Sequence, residues 1–315
     1  MNRSYWQGKR VLVTGGAGFI GSYVVEKLVR EAGVSRENIV VPRSRDCDLQ
    51  QLDNCRRAVR DCQVVIHLAA VTGGIAFSRA HPAAQYFRST LIDLNVAEAA
   101  REARVEKVVA IGNLFAYAGE APVPLDERDL FNGLPTEAHR GVGWMKRNLA
   151  LLAELYHREY GLPMVVVYSA NAYGPRDSLD PKHAHVIPST IIKCLTQKDL
   201  VVWGDGTPTR DFLHADDVAA GLLLAAEKLA SPTYLNLGSG SEISIRQLVE
   251  LVTEFTQFAG PVSYDASKGG GDARRCTGIA RARELLQFQP RHTMRQGIEE
   301  TVRWYQENYR PPGGR

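Results

Sequence analysis

The chain has 315 residues, 44% of them apolar and 23% charged, with a formal net charge of +3. That length supports one large domain or two unequal ones around a substantial core. So small a charge gives no argument for nucleic acid, and no apolar run is long enough to span a membrane. Residues 1–10 are polar and lack the apolar centre of a signal peptide. The five cysteines, Cys47, Cys55, Cys62, Cys194 and Cys276, have neither metal-ligand spacing nor a disulfide framework. They fit free thiols in a reducing cytoplasm, with no metal site.

The first predicted strand begins at Val11 and runs into Gly15-Gly16-Ala17-Gly18-Phe19-Ile20-Gly21, followed by an amphipathic helix from Tyr23 to Ala32. Strand, glycines three apart and helix come in the order that gives a glycine motif its meaning. Gly15 allows a tight turn, Gly18 lets backbone approach a pyrophosphate, and Gly21 lets the helix lie close on the strand. The helix start, with Phe19 and Ile20, then offers unpaired N–H groups and a positive dipole end to phosphates. The alternative is an ordinary strand–turn–helix that binds nothing.

A second strand, Asn38 to Val41, leads to Pro42-Arg43-Ser44-Arg45-Asp46-Cys47-Asp48-Leu49. In a dinucleotide fold this segment, through Leu49, lies beside the adenosine. An acidic residue there binds a free 2′-hydroxyl, whereas arginines suit a 2′-phosphate. Arg43 and Arg45 therefore favour NADP(H) over NAD(H), against the alternative of two solvated arginines. Asp48 can accept from the adenine amino group.

A helix from about Leu49 to Arg60 precedes the strand Val64 to Ala70, whose end, Leu68-Ala69-Ala70, is small enough for a ligand to approach. The loop Val71 to Ile75, with Thr72, Gly73 and Gly74, falls at the carboxyl edge of the sheet, where open α/β folds bind ligands. His67 reads as a structural residue at the strand end. A helix from Ala83 to Ala103 and a strand from Lys107 to Ile111 lead to Gly112-Asn113-Leu114-Phe115-Ala116-Tyr117. Residues 118–140 form a polar, acidic loop of a length that marks function. The helix Val142 to Tyr160 and the strand Pro163 to Tyr168 complete a repeated β–α pattern. The fold class is α/β, a doubly wound parallel sheet of the Rossmann type.

Beyond Gly174 the alternation loosens. The loop Asp177 to Pro188 carries Pro181, His183 and His185; a helix (Ser189 to Leu195), a strand (Leu200 to Trp203) and a helix (Asp216 to Ala230) follow. Tyr234 to Leu237 is a strand, and Ser244 to Phe258 a helix with Ser244 as N-cap. Gly269 to Gly271 form a loop beside Arg274 and Arg275, and a last helix spans Met294 to Tyr309. The expected division is a dinucleotide-binding domain, 1–174 plus about 212–237, and a smaller, discontinuous α/β substrate domain, about 175–211 plus 238–310. Residues 311–315 are an expected disordered tail.

In these residues the chain resembles an extended short-chain dehydrogenase/reductase of the nucleotide-sugar epimerase/dehydratase family, in its GDP-L-fucose synthase branch. The resemblance covers nearly the whole chain. It rests on the glycine motif, the arginine-bearing segment 43–49, His-Leu-Ala-Ala with Gly-Gly-Ile (67–75), Asn-X-Tyr-Gly-Pro-X-Asp (171–177), His-Val-Ile-Pro (185–188) and Trp-Gly-X-Gly-Thr-Pro-X-Arg (203–210). It implies an NADP(H) enzyme that inverts C3 and C5 of a GDP-linked 4-keto sugar and reduces the ketone. In that pattern His185 is the epimerising acid, Lys193 meets the diphosphate, Trp203 stacks on the base and Arg210 pairs with phosphate or ribose. Asn171 serves both ligands, and Lys146 holds the nicotinamide ribose. Members often dimerise through two helices per subunit, here the segments 83–103 and 142–160.

The pattern breaks at three positions. Lys146 is the lysine of a Tyr-X-X-X-Lys pair, but the tyrosine position is Val142. The usual hydroxyl position is Asn113, which can hydrogen-bond a carbonyl oxygen but cannot relay a proton. The cysteine that partners the epimerising histidine falls at Phe115. Three readings remain: an enzyme with modified chemistry using His185, Lys146 and Asn113; a pseudoenzyme that binds cofactor and nucleotide sugar as sensor or partner; and a dehydrogenase of another small substrate.

Overall fold

The computed structural model describes residues 1–310 except Thr72, Gly74, 181–183 and 269–271. Thr72 and Gly74 of the expected substrate loop, Pro181, His183, the glycine run 269–271 and the expected tail lie outside the described residues.

After a short turn, α1 (Arg3–Trp6), the chain forms β1 (Val11–Thr14), α2 (Phe19–Arg30), β2 (Ile39–Val40), α3 (Leu52–Val59) and β3 (Val64–His67). Then come α4 (Ile75–Ala80), α5 (Pro82–Glu102), β4 (Lys107–Asn113), α6 (Arg140–Tyr160) and β5 (Met164–Ser169). The second half holds β6 (Asn171–Tyr173), α7 (Val186–Thr196), β7 (Leu200–Trp203), β8 (Thr209–Arg210), β9 (Phe212–His214) and α8 (Ala215–Lys228). It closes with β10 (Thr233–Leu237), β11 (Ile243–Ser244), α9 (Ile245–Thr256), β12 (Val262–Asp265), β13 (Arg274–Arg275), α10 (Ala280–Leu286) and α11 (Met294–Asn308).

The central sheet has the order β2-β1-β3-β4-β5-β10, every neighbour parallel. Its strands are apolar on both sides because helices cover both faces. One layer packs α2 against α8; the other packs α3, α5 and α6 together. Chain order reverses between β1 and β3, so the carboxyl ends of these two strands open the crevice where such sheets bind ligands. A second, smaller apolar cluster joins α7, α9 and α11 through Ile187, Ile191, Leu248, Val252, Ile298 and Val302. Capping boxes fix the starts of α9 (Ser244 with Gln247) and α11 (Thr293 with Gln296). Among the described residues no helix is long and apolar enough to cross a membrane.

Several boundaries differ from the pattern, each for a local reason. β3 ends at His67 rather than Ala70 because the Leu68 and Ala69 N–H groups turn to the Thr14 hydroxyl. α7 starts at Val186, not Ser189, because Pro188 sits in its first turn, where a missing N–H costs nothing. α2 starts at Phe19, ahead of its first buried apolar face. The two-residue strands β8, β11 and β13 carry too few residues for any period to register. The arginine-rich α10 forms because Ile279, Ala282, Leu286 and Phe288 anchor it to the main core.

Candidate active site

The glycine turn is built for close approach. Gly15 has φ +68°, and a Cβ there would stand 3.1 Å from the Ala69 nitrogen at the end of β3. A Cβ on Gly21 would overlap the Gly15 carbonyl oxygen and stand 2.6 Å from the Gly16 Cα. Gly18 is the N-cap of α2 and offers no capping side chain, so the first N–H groups of the helix have no side-chain partner there. The segment after β2 closes this cradle: the Val41 Cγ1 would lie 3.0 Å from a Cβ on Gly16. Beyond it Arg43, Arg45 and Asp48 are exposed, Arg45 paired with Asp46 at 3.0 Å, while Leu49 is buried. A cradle that excludes Cβ atoms, with an uncapped helix start, fits a dinucleotide pyrophosphate.

Beneath the cradle runs a buried relay that sequence reading reached only at His67. The Thr14 hydroxyl accepts from the Leu68 and Ala69 N–H groups at 3.1 and 3.2 Å, so its own proton goes to His67 Nδ1 at 2.7 Å. His67 Nε2–H then donates to Asp93 Oδ1 at 2.9 Å. Asp93 Oδ2 is buried without a hydrogen-bond partner among the described residues. The Asp93 carboxylate faces the field of Lys146, whose ammonium donates to the Ile111 carbonyl at 3.0 Å. Burial pushes the Lys146 pKa down, and Asp93 partly opposes that shift.

The catalytic positions of the resemblance gather at the end of β4 and the start of α6. Asn113, the last residue of β4, accepts from the Phe115 N–H at 3.2 Å through its side-chain oxygen, and its amide nitrogen is a donor. Val142 is buried in the first turn of α6, four residues before Lys146. It lines a cavity of about 530 Å³ with Ser78, Pro82, Gln85, Glu137 and His139. The phenols near the site in sequence are committed elsewhere. Tyr117 donates to Asn236 at 2.7 Å and Tyr168 to the Lys146 carbonyl at 2.8 Å, and burial raises both pKa values. The loop 118–140 is braced rather than loose, with Arg147 donating to the carbonyls of Ala116, Asn132 and Gly133.

In the second half of the chain, the His185 ring is exposed, with Nδ1 3.4 Å from the buried Asp177 carboxylate. That hydrogen bond raises its pKa, ahead of an opposing desolvation. Gly73 lies against the Phe77 ring, 2.5 Å from where a Cβ would stand. Asn171 donates to the carbonyl of Asp211, the residue after Arg210, at 3.0 Å, beside the pairing of β6 with β9. Lys193 donates to the Val201 carbonyl at 3.0 Å, and burial lowers its pKa. Trp203, 67% exposed, presents its ring at the end of β7, with the Lys268 ammonium 6.0 Å from the ring centre. Such a ring is a platform for a planar base.

One residue here had no role in the sequence reading. Arg275 pairs with Arg210 in the parallel register of β13 and β8 and is 4% exposed. It donates to Asp272 at 2.8 Å and to the Leu114 carbonyl at 3.3 Å, while its buried Nη2 has no hydrogen-bond partner among the described residues. It ties the Arg210 strand to the Asn113–Phe115 turn and holds an unsatisfied cationic donor at their junction. The only sequence signal was the Arg274-Arg275 pair.

The profile of the NAD dependent epimerase/dehydratase family matches residues 11–238. The chain is 33% identical to a GDP-L-fucose synthase of Dictyostelium discoideum, over 96% of both chains. Its fold is similar to that of an epimerase, Mth375, from Methanothermobacter thermautotrophicus, with a TM-score of 0.86 and 28% identity over 97% of this chain and 94% of that one. It is likewise similar to a GDP-L-fucose synthetase from Naegleria fowleri, with a TM-score of 0.86 and 26% identity over 95% and 93%. By that match and that identity, this chain belongs to the NAD dependent epimerase/dehydratase family.

Proposed function

We propose that the protein is an NADP(H)-dependent enzyme of a GDP-linked 4-keto sugar in which proton transfer has been rebuilt. The observation that carries this reading is the contrast within one crevice. Both rims keep residues suited to their ligands, yet the proton-handling positions hold Asn113, Phe115 and Val142. The cofactor half is 1–174 with about 212–237, and the sugar half about 175–211 with 238–310.

Gly15, Gly18, Phe19, Ile20 and Gly21 would hold the pyrophosphate, Arg43 and Arg45 the 2′-phosphate, Asp48 and Leu49 the adenine side, and Leu68 to Ala70 the inner edge. When bound, NADPH supplies a hydride to the carbonyl carbon. Lys146 and Asn171 hold the nicotinamide end, and the Asn113 amide donates to the sugar's carbonyl oxygen. That contact polarises the carbonyl and acidifies the neighbouring C–H bonds. Water takes up the released C–H proton, and His185, whose protonated form Asp177 favours, delivers a proton to the enolate carbon. Arg210, Lys193 and Arg275 hold the diphosphate, and Trp203 stacks on guanine.

The second reading, a cofactor- and sugar-binding pseudoenzyme, is favoured by Val142 and Phe115. The two separate in one pair of assays: NADPH absorbance with GDP-4-keto-6-deoxymannose, and deuterium uptake by the same sugar in heavy water without cofactor. Binding with neither signal would establish the pseudoenzyme. The partner surface of this reading is a second copy of the chain. Tyr86, Phe87 and Leu94 on α5 and Trp144, Leu151 and Leu155 on α6 are exposed on two helices that pack side by side. Sedimentation at micromolar concentration should show a dimer that Leu151→Glu dissociates; a monomeric wild type would remove this part.

A further inference from the structure

We propose that Asp93 is the buried counter-ion of Lys146, a positioning residue that keeps the ammonium charged for the nicotinamide ribose; the ribose part rests on the cofactor reading above. Hydrogen-bond directions beneath the cradle leave two charges unbalanced. The Thr14 hydroxyl accepts from two backbone N–H groups and so donates to His67 Nδ1; the imidazole proton then lies on Nε2, which donates to Asp93 Oδ1. His67 is therefore neutral, and it orients the carboxylate without cancelling its charge. Asp93 is 5% exposed, and its Oδ2 has no hydrogen-bond partner among the described residues. Lys146 is 6% exposed, and among the described residues its ammonium has one hydrogen-bond partner, the uncharged Ile111 carbonyl. A charge buried without an opposite charge is costly, so each of these two needs the other.

The topology brings them to adjacent positions. His67 on β3 pairs in register with Ala110 on β4, and Ile111, which Lys146 grips, is the next residue along that strand. Asp93 on α5 and Lys146 on α6 reach these positions from two helices packed together on one face of the sheet. The carboxylate's field favours the ammonium and opposes the downward pull of burial on its pKa.

The other titratable groups on the surrounding elements are engaged elsewhere. Tyr168 of β5 gives its hydroxyl to the Lys146 carbonyl and meets Tyr234 of β10 edge to face, and Lys107 of β4 reaches the Leu229 carbonyl. Glu137 and His139 line the cavity at the start of α6. On α3, which packs against α5, Arg56 pairs with Asp53 and Glu102, Arg57 donates to Asn54, and the Cys55 thiol donates to the Leu49 carbonyl.

Two measurements on the full chain test the pair. The first needs no cofactor: thermal melting of wild type, Asp93→Asn, Lys146→Met and the double variant. Asn keeps an acceptor for the His67 Nε2–H, and Met keeps most of the lysine stem without its charge. Each single change strands one buried charge and should lower the melting temperature by about 4 °C or more. The double variant should melt at least as high as Lys146→Met, because neither charge is then stranded. This comparison holds even where Asp93→Asn alone fails to fold. A double variant that melts below Lys146→Met overturns the counter-ion. The second measurement is NADPH affinity as pH rises from neutral. Without the carboxylate Lys146 loses its proton sooner, so the fall in affinity of Asp93→Asn should begin about one pH unit or more below that of wild type. Coincident pH profiles overturn the positioning role. A wild type that binds no NADPH overturns the cofactor reading, and the melting comparison then decides the ion pair by itself.

Discussion

Val142→Tyr asks whether the site is a reductase lacking one group. Residue 142 lies four positions before Lys146 in α6, so both side chains project from one face of the helix. Val142 is 8% exposed but borders a cavity of about 530 Å³, which gives a phenol room without displacing the core. The buried Lys146 ammonium, held by the Ile111 carbonyl, would lower that phenol's pKa and suit it to give a proton to a carbonyl oxygen. A placed general acid contributes factors of about 100 to 10,000. Placed there, the phenol should raise kcat by about 100-fold, or about 2.7 kcal/mol of barrier. Adding Asn113→Ser should raise it further by supplying a hydroxyl. The assay is NADPH absorbance loss with GDP-4-keto-6-deoxymannose, with calorimetric binding of both ligands and the melting temperature as controls. A variant that folds and binds both ligands as wild type, yet reduces no faster, would refute the placement of residue 142 against the nicotinamide.

Three further outcomes follow from the geometry. Gly21→Ala forces a methyl into the Gly15 carbonyl; it should cost about 1–3 kcal/mol of stability and weaken NADPH binding at least tenfold, checked by thermal melting and fluorescence titration. Unchanged melting and affinity would contradict the close helix–strand packing. Asp177→Asn removes the hydrogen bond that raises the His185 pKa, so the alkaline limb of deuterium exchange into the sugar should move to lower pH; an unmoved limb would separate the pair. His214, 2% exposed, has its pKa lowered by burial to about 4, so it folds neutral and gains a proton on unfolding. Its contribution is fully present above pH 6.5 and is lost as pH falls toward 4, by about 3 kcal/mol at most. His292, raised by Asp217, works in the opposite sense. His214→Asn keeps an acceptor for the Asp216 N–H at the start of α8 and should flatten the loss of melting temperature between pH 7 and 5; parallel curves would contradict this.

The strand, glycine turn and helix at the start of the chain were legible because their physics is local. A strand buried on both faces reads as a continuous apolar run, and three glycines at fixed spacing state where a Cβ cannot fit. The long-range parts were not legible. Asp93 lies in α5 among apolar neighbours, and only folding brings it to His67 and Lys146. Arg275 sits on a two-residue strand beside a glycine run, and its partners lie at Asp272 and Leu114, the latter over a hundred residues away. His139 read as one polar residue in a polar loop; its stack on Phe115 depends on the turn that precedes α6. The departures at Asn113, Phe115 and Val142 were visible only through the resemblance, since nothing in the periodicity marks a missing phenol.

The central claim is that both ligand grips persist beside a rebuilt proton site. Calorimetric titration of the wild-type chain with NADPH, NADH and GDP-mannose tests it most directly. The account predicts saturable one-site binding of GDP-mannose and of NADPH, with NADH weaker because Arg43 and Arg45 lose the 2′-phosphate. Absence of heat and of saturation with NADPH and GDP-mannose alike would contradict it.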